Sequence, residues 1–556
     1  MANIYPLVAV LLSFFLFPLS ALSSEDVTTE SWVDWNLRPT ANTDAGVVVG
    51  VSQTVSTSRT KINAFLGVPF GAQPVRFAGP KRPTPWKTPR DASKTGPACI
   101  QQFNYPNPRR ASILQWFNTP PPPAGESEDC LSVNVYVPQP AWKPKPVMVW
   151  LYGGGLLYGS NAVEKYDGSF LAANNDVIVV VPNYRTNVFG FSGSPQVPAT
   201  ERNAGFLDQR LALDWVQRNI AAFGGDPTKV TIFGESAGAA SVDNLLTVPP
   251  QPVPFRAAIM ESGTSTFRAV PADYSAAWNI LVAAMGCGNS SASQTNNPQI
   301  LACMRALPAT KIKDYNEQNR LGWVPIYDNV TSAYYARKNR LDSNPGSSKI
   351  ARVPILGGSN AHEGRLYSVS AANATSFVRG LFPLATDAEI AGLLASYSGY
   401  SSEFRQLAAL YTDFIFQCPA RLVALETAQV GIPSYRYYYN ASFPNSQIFV
   451  DAGVYHASEI GIVLGTYNKT GATPFQIQLS TYVQKVWADF AKDPNGFGRP
   501  PWPTVPTAMG EIGGGVRAED GPNAQGKFLT VLSKQQTDAV DSGCAKFQAI
   551  YDFLGH

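Results

Sequence analysis

The chain has 556 residues, 45% of them hydrophobic and 15% charged, with a formal net charge of +3. It can bury a large core, and its charge is too small to point to a nucleic acid or an anionic membrane as partner. Its three histidines are scattered, which argues against a histidine-rich metal site, and no metal or cofactor is expected.

The chain opens with an apolar stretch over residues 4–19, followed by the small residues 20–24. This reads as a signal peptide, residues 1–23, cut after Ser23 with Ala21 and Ser23 as the small pair. Its n-region holds no Lys or Arg. The rival reading is an uncleaved anchor, disfavoured because the stretch is short and no basic cluster follows it. No later segment is long and apolar enough to span a bilayer, so no integral membrane segment is expected after signal removal. The C-terminus has no hydrophobic tail of the kind that precedes a lipid anchor. Residues 24–556 are expected to form one catalytic domain in an extracellular protein. The even set of six cysteines fits an oxidising environment, and Asn289, Asn329, Asn373, Asn440 and Asn468 begin Asn-x-Ser/Thr sites that are candidates for glycosylation.

Cys99 and Cys130 bracket a segment holding four prolines, 120–123, which predict an extended or polyproline stretch. After Cys130 the pattern alternates. Apolar runs at 147–152, 177–181 and 230–233 predict strands, and Leu207, Leu211 and Trp215 place a helix over 204–221. A small-residue helix follows from Ala237, and further strands are expected at 257–260 and 353–356. Short apolar strands separated by helices predict a large, mostly parallel sheet covered on both faces, an α/β architecture. Residues 264–349 and much of 371–416 read as helical insertions around it.

Gly234-Glu235-Ser236-Ala237-Gly238 follows a predicted strand and precedes a predicted helix. That is the setting of a nucleophile elbow, where Ser236 projects above the sheet. Glycines are needed on either side because a Cβ at 234 or 238 would clash with the neighbouring strand or helix. The bland alternative is a chance turn. A serine needs a base, and of His362, His456 and His556 the best placed is His456. His556 ends the chain, and His362 would have to turn away from its neighbour Glu363. In α/β hydrolases the order along the chain is serine, acid, histidine, which selects Ser236, Glu363 and His456. Glu363 is expected after the strand 353–356 and a flexible stretch over 357–360, in a loop at a strand's C-terminal end, where open sheets place their sites. Gly153-Gly154-Gly155, after another strand, can aim backbone N–H groups at a developing oxyanion, the expected donors being Gly154, Gly155 and Ala237. A dinucleotide fingerprint fails there because Tyr158 stands where a glycine is required.

Taken together, these residues resemble the type-B carboxylesterase/lipase family, which includes cholinesterases. The resemblance covers nearly the whole mature chain. It runs through Phe65-Leu66-Gly67-Val68-Pro69-Phe70 with Arg76-Phe77, through residues 128–136, and through Phe223-Gly224-Gly225-Asp226-Pro227 to the elbow. Glu363-Gly364, and His456 with Glu459-Ile460, look like the acid and base motifs. The family implies an α/β-hydrolase fold with helical insertions. It implies the pairings Cys99–Cys130, Cys287–Cys303 and Cys418–Cys544, where the sequence alone leaves fifteen open. It also implies a small-molecule or lipid ester substrate, attacked by Ser236 through an acyl-enzyme. The first disulfide loop borders the entrance in this family. Ile113, Leu114, Trp116 and Phe117 are therefore candidate substrate contacts on a lid, or else part of a fixed wall stiffened by proline. Two rival functions stay open: an inactive adhesion or binding protein on the same fold, and an amidase.

Overall fold

The computed structural model describes residues 38–103, 109–266, 273–288, 297–346 and 349–554. The signal-peptide expectation, the Asn289 site and His556 lie outside the described residues. The strands in chain order are β1 (Thr40–Thr43), β2 (Gly46–Val49), β3 (Val51–Thr54), β4 (Lys61–Pro69), β5 (Arg90–Asp91), β6 (Ser132–Pro138) and β7 (Lys145–Leu151). They continue with β8 (Ile178–Pro182), β9 (Gly225–Glu235), β10 (Ala257–Glu261), β11 (Ile355–Asn360), β12 (Ser434–Tyr439), β13 (Ala508–Ile512) and β14 (Leu529–Ser533).

β1, β2 and β5 make a small sheet, and the other strands make an 11-stranded sheet ordered β14-β13-β12-β11-β10-β9-β7-β8-β6-β4-β3. From β13 across to β8 the pairing is parallel throughout. Both edges are finished by antiparallel strands: β14 on one side, and β6, β4 and β3 on the other. With its flanking helices this is the α/β-hydrolase fold. The central strands are buried on both sides because successive side chains face opposite layers. Met148, Trp150, Val179, Val181, Phe233 and Ile259 join one core. Val147, Val149, Leu151, Val180, Ile232 and Ala258 join the other.

The helix Ala204–Asn219 covers one face and ends close to the predicted boundary. Its Asp208 is fully buried and receives Arg185 through Nε and Nη2, both at 2.8 Å, as well as the Arg185 main-chain N–H at 2.9 Å. This pair ties the segment after β8 to the helix. Helical insertions occupy the expected regions, with helices at Ala276–Ala284, Pro298–Ala306 and Ala309–Asn319, then Ala374–Leu381, Asp387–Ala395 and Glu403–Tyr411. A third apolar cluster, including Val378, Leu410, Phe414, Phe547 and Tyr551, lies among the later insertions. The bridges present are Cys99–Cys130, Cys287–Cys303 and Cys418–Cys544.

One local expectation needs correction. The stretch 357–360 is not a loop: Gly357, Gly358, Ser359 and Asn360 are buried inside β11 and pair with β12. Glycine fits there because an added Cβ at Gly358 would lie 2.5 Å from the Tyr437 ring. The disulfide loop also carries a helix, Arg109–Phe117, before its prolines.

Replacing Asp208 with Ala leaves the Arg185 guanidinium buried without its partner. The expected cost is about 3–5 kcal/mol of unfolding free energy, read from urea denaturation of the two proteins. A loss below about 1 kcal/mol, the range of an exposed pair, would refute the anchoring role.

Candidate active site

β9 ends at Glu235, and the helix Ala237–Thr247 begins directly after Ser236. Ser236 has φ 55 and ψ −121, a conformation that side chains avoid and that costs about 1–3 kcal/mol. The surroundings hold it there. The Ser236 N–H donates to the Glu261 carbonyl at the end of β10 (2.9 Å), and its carbonyl accepts from Ala240 N–H (2.9 Å). Packing leaves no room to relax. A Cβ at Gly234 would meet the Leu151 carbonyl oxygen at 2.5 Å, and one at Gly238 would run into the same oxygen. A Cβ at Gly153 would lie 2.6 Å from Glu235 Oε2 and 2.9 Å from Ser236 Cβ. The glycines therefore let the turn, the helix and β7 approach closely.

Gly153-Gly154-Gly155 leave the end of β7. Tyr152, just before them, stacks on Tyr184 with ring centroids 4.4 Å apart, and the Tyr184 hydroxyl donates to the Tyr152 carbonyl at 2.5 Å. Gly154 adopts φ 106 and Gly155 φ 62. Among the described residues, the N–H groups of Gly154, Gly155 and Ala237 donate to no protein acceptor.

Glu363 lies three residues beyond β11 and is fully buried. Its Oε1 accepts the Asn360 N–H at 2.6 Å. Its Oε2 accepts His456 Nδ1–H at 2.7 Å. His456 is 4% exposed, and its ring packs on Phe416 (4.5 Å) and Tyr367 (5.5 Å). With Nδ1 so engaged, Nε2 is the free nitrogen. It has no hydrogen-bond partner among the described residues, and Glu235 Oε1 is 3.1 Å away at an angle unsuited to one. Ser236 and His456 are not hydrogen-bonded to each other. His362 is a poor base: its Nδ1 accepts Val454 N–H at 3.1 Å. Burial, with Arg365, Arg517 and Arg405 nearby, pushes it down to about 2.

Three further carboxyl groups surround this pair and were not singled out from the sequence as site residues. Glu235 is 2% exposed, and burial pushes its carboxyl up. Burial also raises Glu459, whose Oε2 accepts Asn360 Nδ2–H at 2.5 Å. Glu261 is pushed well up by burial and accepts Trp487 Nε1–H at 2.8 Å. Their positions in the elbow, at the end of β10 and three residues after His456 were the available signal. Burial alone would lower the His456 imidazole, but the carboxyl groups of Glu235 and Glu363 outweigh it and raise the ring above its ordinary range. The turn at Ser236, the N–H groups after β7 and the Glu363–His456 pair are thus gathered beyond the ends of β7, β9, β11 and β12.

Trp116 packs on Phe449 (5.5 Å), and Phe117 faces Tyr158 (6.4 Å). Asn329, Asn373 and Asn468 are exposed, whereas Asn440 is half-buried. The Asn440 amide donates to Glu511 at 2.7 Å and accepts from Arg517 at 2.7 Å.

Residues 38–513 match the model of the carboxylesterase family. The chain is 31% identical to acetylcholinesterase of Bungarus fasciatus, over 82% of this chain and 78% of that protein. It is 33% identical to human carboxylesterase 5A, over 84% of each. It is 31% identical to human cocaine esterase, over 84% of this chain and 86% of that protein.

With three histidines in the chain, the imidazole titrations are separable by NMR of histidine-labelled protein. The His456 midpoint is expected above the ordinary 6.5. It should fall in Glu235→Gln, because removing a carboxylate removes what stabilises the imidazolium. A midpoint that stays or rises in that variant would refute the coupling.

Proposed function

This chain belongs to the carboxylesterase family, and on that footing we propose that it is a secreted serine carboxylic-ester hydrolase working through Ser236, His456 and Glu363. The observation that carries the reading is the 2.7 Å bond from His456 Nδ1 to Glu363, which leaves Nε2 free beside the residue preceding Ser236.

His456 Nε2 takes the Ser236 proton as the hydroxyl attacks the ester carbonyl. Glu363 holds the imidazole in the required tautomer and stabilises the imidazolium that forms. Catalytic bonds of this kind are often long before substrate arrives, so the missing Ser236–His456 bond is compatible with the role. Gly154, Gly155 and Ala237 donate to the tetrahedral oxyanion, and each is worth about 3–4 kcal/mol of transition-state stabilisation. His456 then gives its proton to the leaving alcohol. Water enters along the same route, His456 takes its proton, and the acid is released from Ser236. The positive φ at Ser236 lifts the nucleophile clear of the helix backbone at the helix's positive end.

Three disulfides are compatible with an oxidising compartment. The exposed Asn329, Asn373 and Asn468 are the better candidates for glycosylation. At Asn440 a glycan would displace the contacts to Glu511 and Arg517.

Hydrolysis of p-nitrophenyl esters from acetate to palmitate tests the activity. The wild type should release nitrophenolate, and Ser236→Ala should lower kcat by roughly four to six orders of magnitude. Absence of release across the series, by folded and disulfide-intact protein, would favour the binding-protein reading. An amide turned over faster than any ester would favour the amidase. In the same assay Trp116→Ala/Phe117→Ala should shift the preferred chain length, and an unchanged preference would remove these residues from substrate contact.

A further inference from the structure

His362 adjoins Glu363, yet the proposed chemistry leaves it unused. It is half-buried, in the loop that follows β11. Its main-chain N–H donates to the Val454 carbonyl at 3.0 Å, and its ring Nδ1 accepts the Val454 N–H at 3.1 Å. Both polar main-chain groups of Val454 are therefore engaged by one residue. Val454 stands two residues before His456, and His362 stands one before Glu363. The clasp thus closes directly beside the 2.7 Å bond between Glu363 and His456.

Close approach is built into the base loop. Gly453 has φ 62, and a Cβ there would lie 2.7 Å from His362 Nδ1 and 2.5 Å from Arg365 Nη1. The Gly453 N–H donates to Gln447 Oε1 at 2.7 Å, which shapes the turn. Asp451 accepts Arg365 at 2.7 Å and Arg405 at 2.8 Å, so the loop is pinned to two helical segments as well. Between β12 and the helix Ile460–Leu464 the chain is irregular apart from the short turn Pro444–Ser446. Bonds to other segments therefore set where His456 stands. The clasp needs a neutral ring, because a proton on Nδ1 would face the Val454 N–H donor to donor. Burial and the nearby Arg365, Arg517 and Arg405 keep the ring neutral.

We propose that His362 is a positioning residue: by clasping Val454 it holds the base loop against the acid loop, so that His456 meets Glu363 in the orientation acyl transfer needs. The inference rests on the esterase reading and adds to it the element that aligns its base.

Wild type, His362→Ala, His362→Asn and His362→Gln are compared. An Asn amide oxygen falls near the place of Nδ1 and can accept the Val454 N–H, whereas a Gln amide oxygen falls near that of Nε2. The readout is kcat on p-nitrophenyl acetate per active site, with sites counted by fluorophosphonate titration. His362→Ala and His362→Gln should lower it by about ten-fold or more, as misplaced catalytic groups do, with KM within about two-fold of the wild type. His362→Asn should stay within about three-fold of the wild type. A histidine needed only for folding would lower the number of titratable sites and leave kcat per site unchanged, a result that overturns the proposal. If His362→Ala does not fold, equal kcat per site in His362→Gln and His362→Asn overturns it. Histidine-labelled protein gives a readout without substrate. Ring nitrogen shifts should place the wild-type His362 proton on Nε2, and the His456 midpoint should fall in His362→Gln and recover in His362→Asn. An Nδ1–H tautomer in the wild type, or a His456 midpoint unchanged in His362→Gln, overturns the clasp. A wild type that cleaves no ester while these NMR signatures hold would contradict the esterase reading and not the clasp.

Discussion

The left-handed turn at Ser236 is the constraint around which this site is arranged. A residue at φ 55 and ψ −121 persists only where its neighbours leave no alternative. Here β7, β9 and the helix Ala237–Thr247 meet so closely that Gly153, Gly234 and Gly238 have no room for a Cβ. The same close packing sets the glycine turn after β7 beside Ser236. Ser236 and the N–H groups of Gly154, Gly155 and Ala237 are thus brought together by one steric fact, and the sheet provides the rigidity that keeps them there.

Electrostatics supplies the second half. Glu363 is buried and twice hydrogen-bonded, to Asn360 N–H and to His456, so its carboxyl is fixed in orientation. Around it stand Glu235, Glu261 and Glu459, all pushed up by burial. Had all four been ionised together, the cost of burying them would be prohibitive. The arrangement is reasonable because neutral forms, hydrogen bonds from Asn360 and Trp487, and the nearby His456 and Lys165 share the burden. Such a cluster raises the basicity of the imidazole and makes the site responsive to a single added or removed charge.

Much of this was legible in the sequence, for identifiable reasons. The strands 147–152, 177–181 and 257–260 read correctly because strands buried on both faces are continuous apolar runs. The strand–turn–helix around Ser236 read correctly because so tight a turn demands glycines at fixed places. β12 was not read, because Arg436 and its tyrosines look like surface. Arg436 is instead buried and paired with Asp541, at 2.5 and 2.8 Å, and those residues are far apart in sequence. The stretch 357–360 looked like a loop because its glycines hide the need for close packing against Tyr437. The carboxyl cluster was only partly legible: Glu235 stands in the elbow and Glu459 three residues after His456, but their burial together was not readable. Their meaning lies in which charges burial brings together, and no local pattern encodes that.

The most direct test of the central claim is covalent labelling with a fluorophosphonate, followed by intact-mass measurement and peptide mapping. The account predicts one adduct per chain, on Ser236, formed rapidly by the folded protein and lost in His456→Ala and after denaturation. An adduct on another residue, or none on folded protein with its disulfides intact, would contradict it.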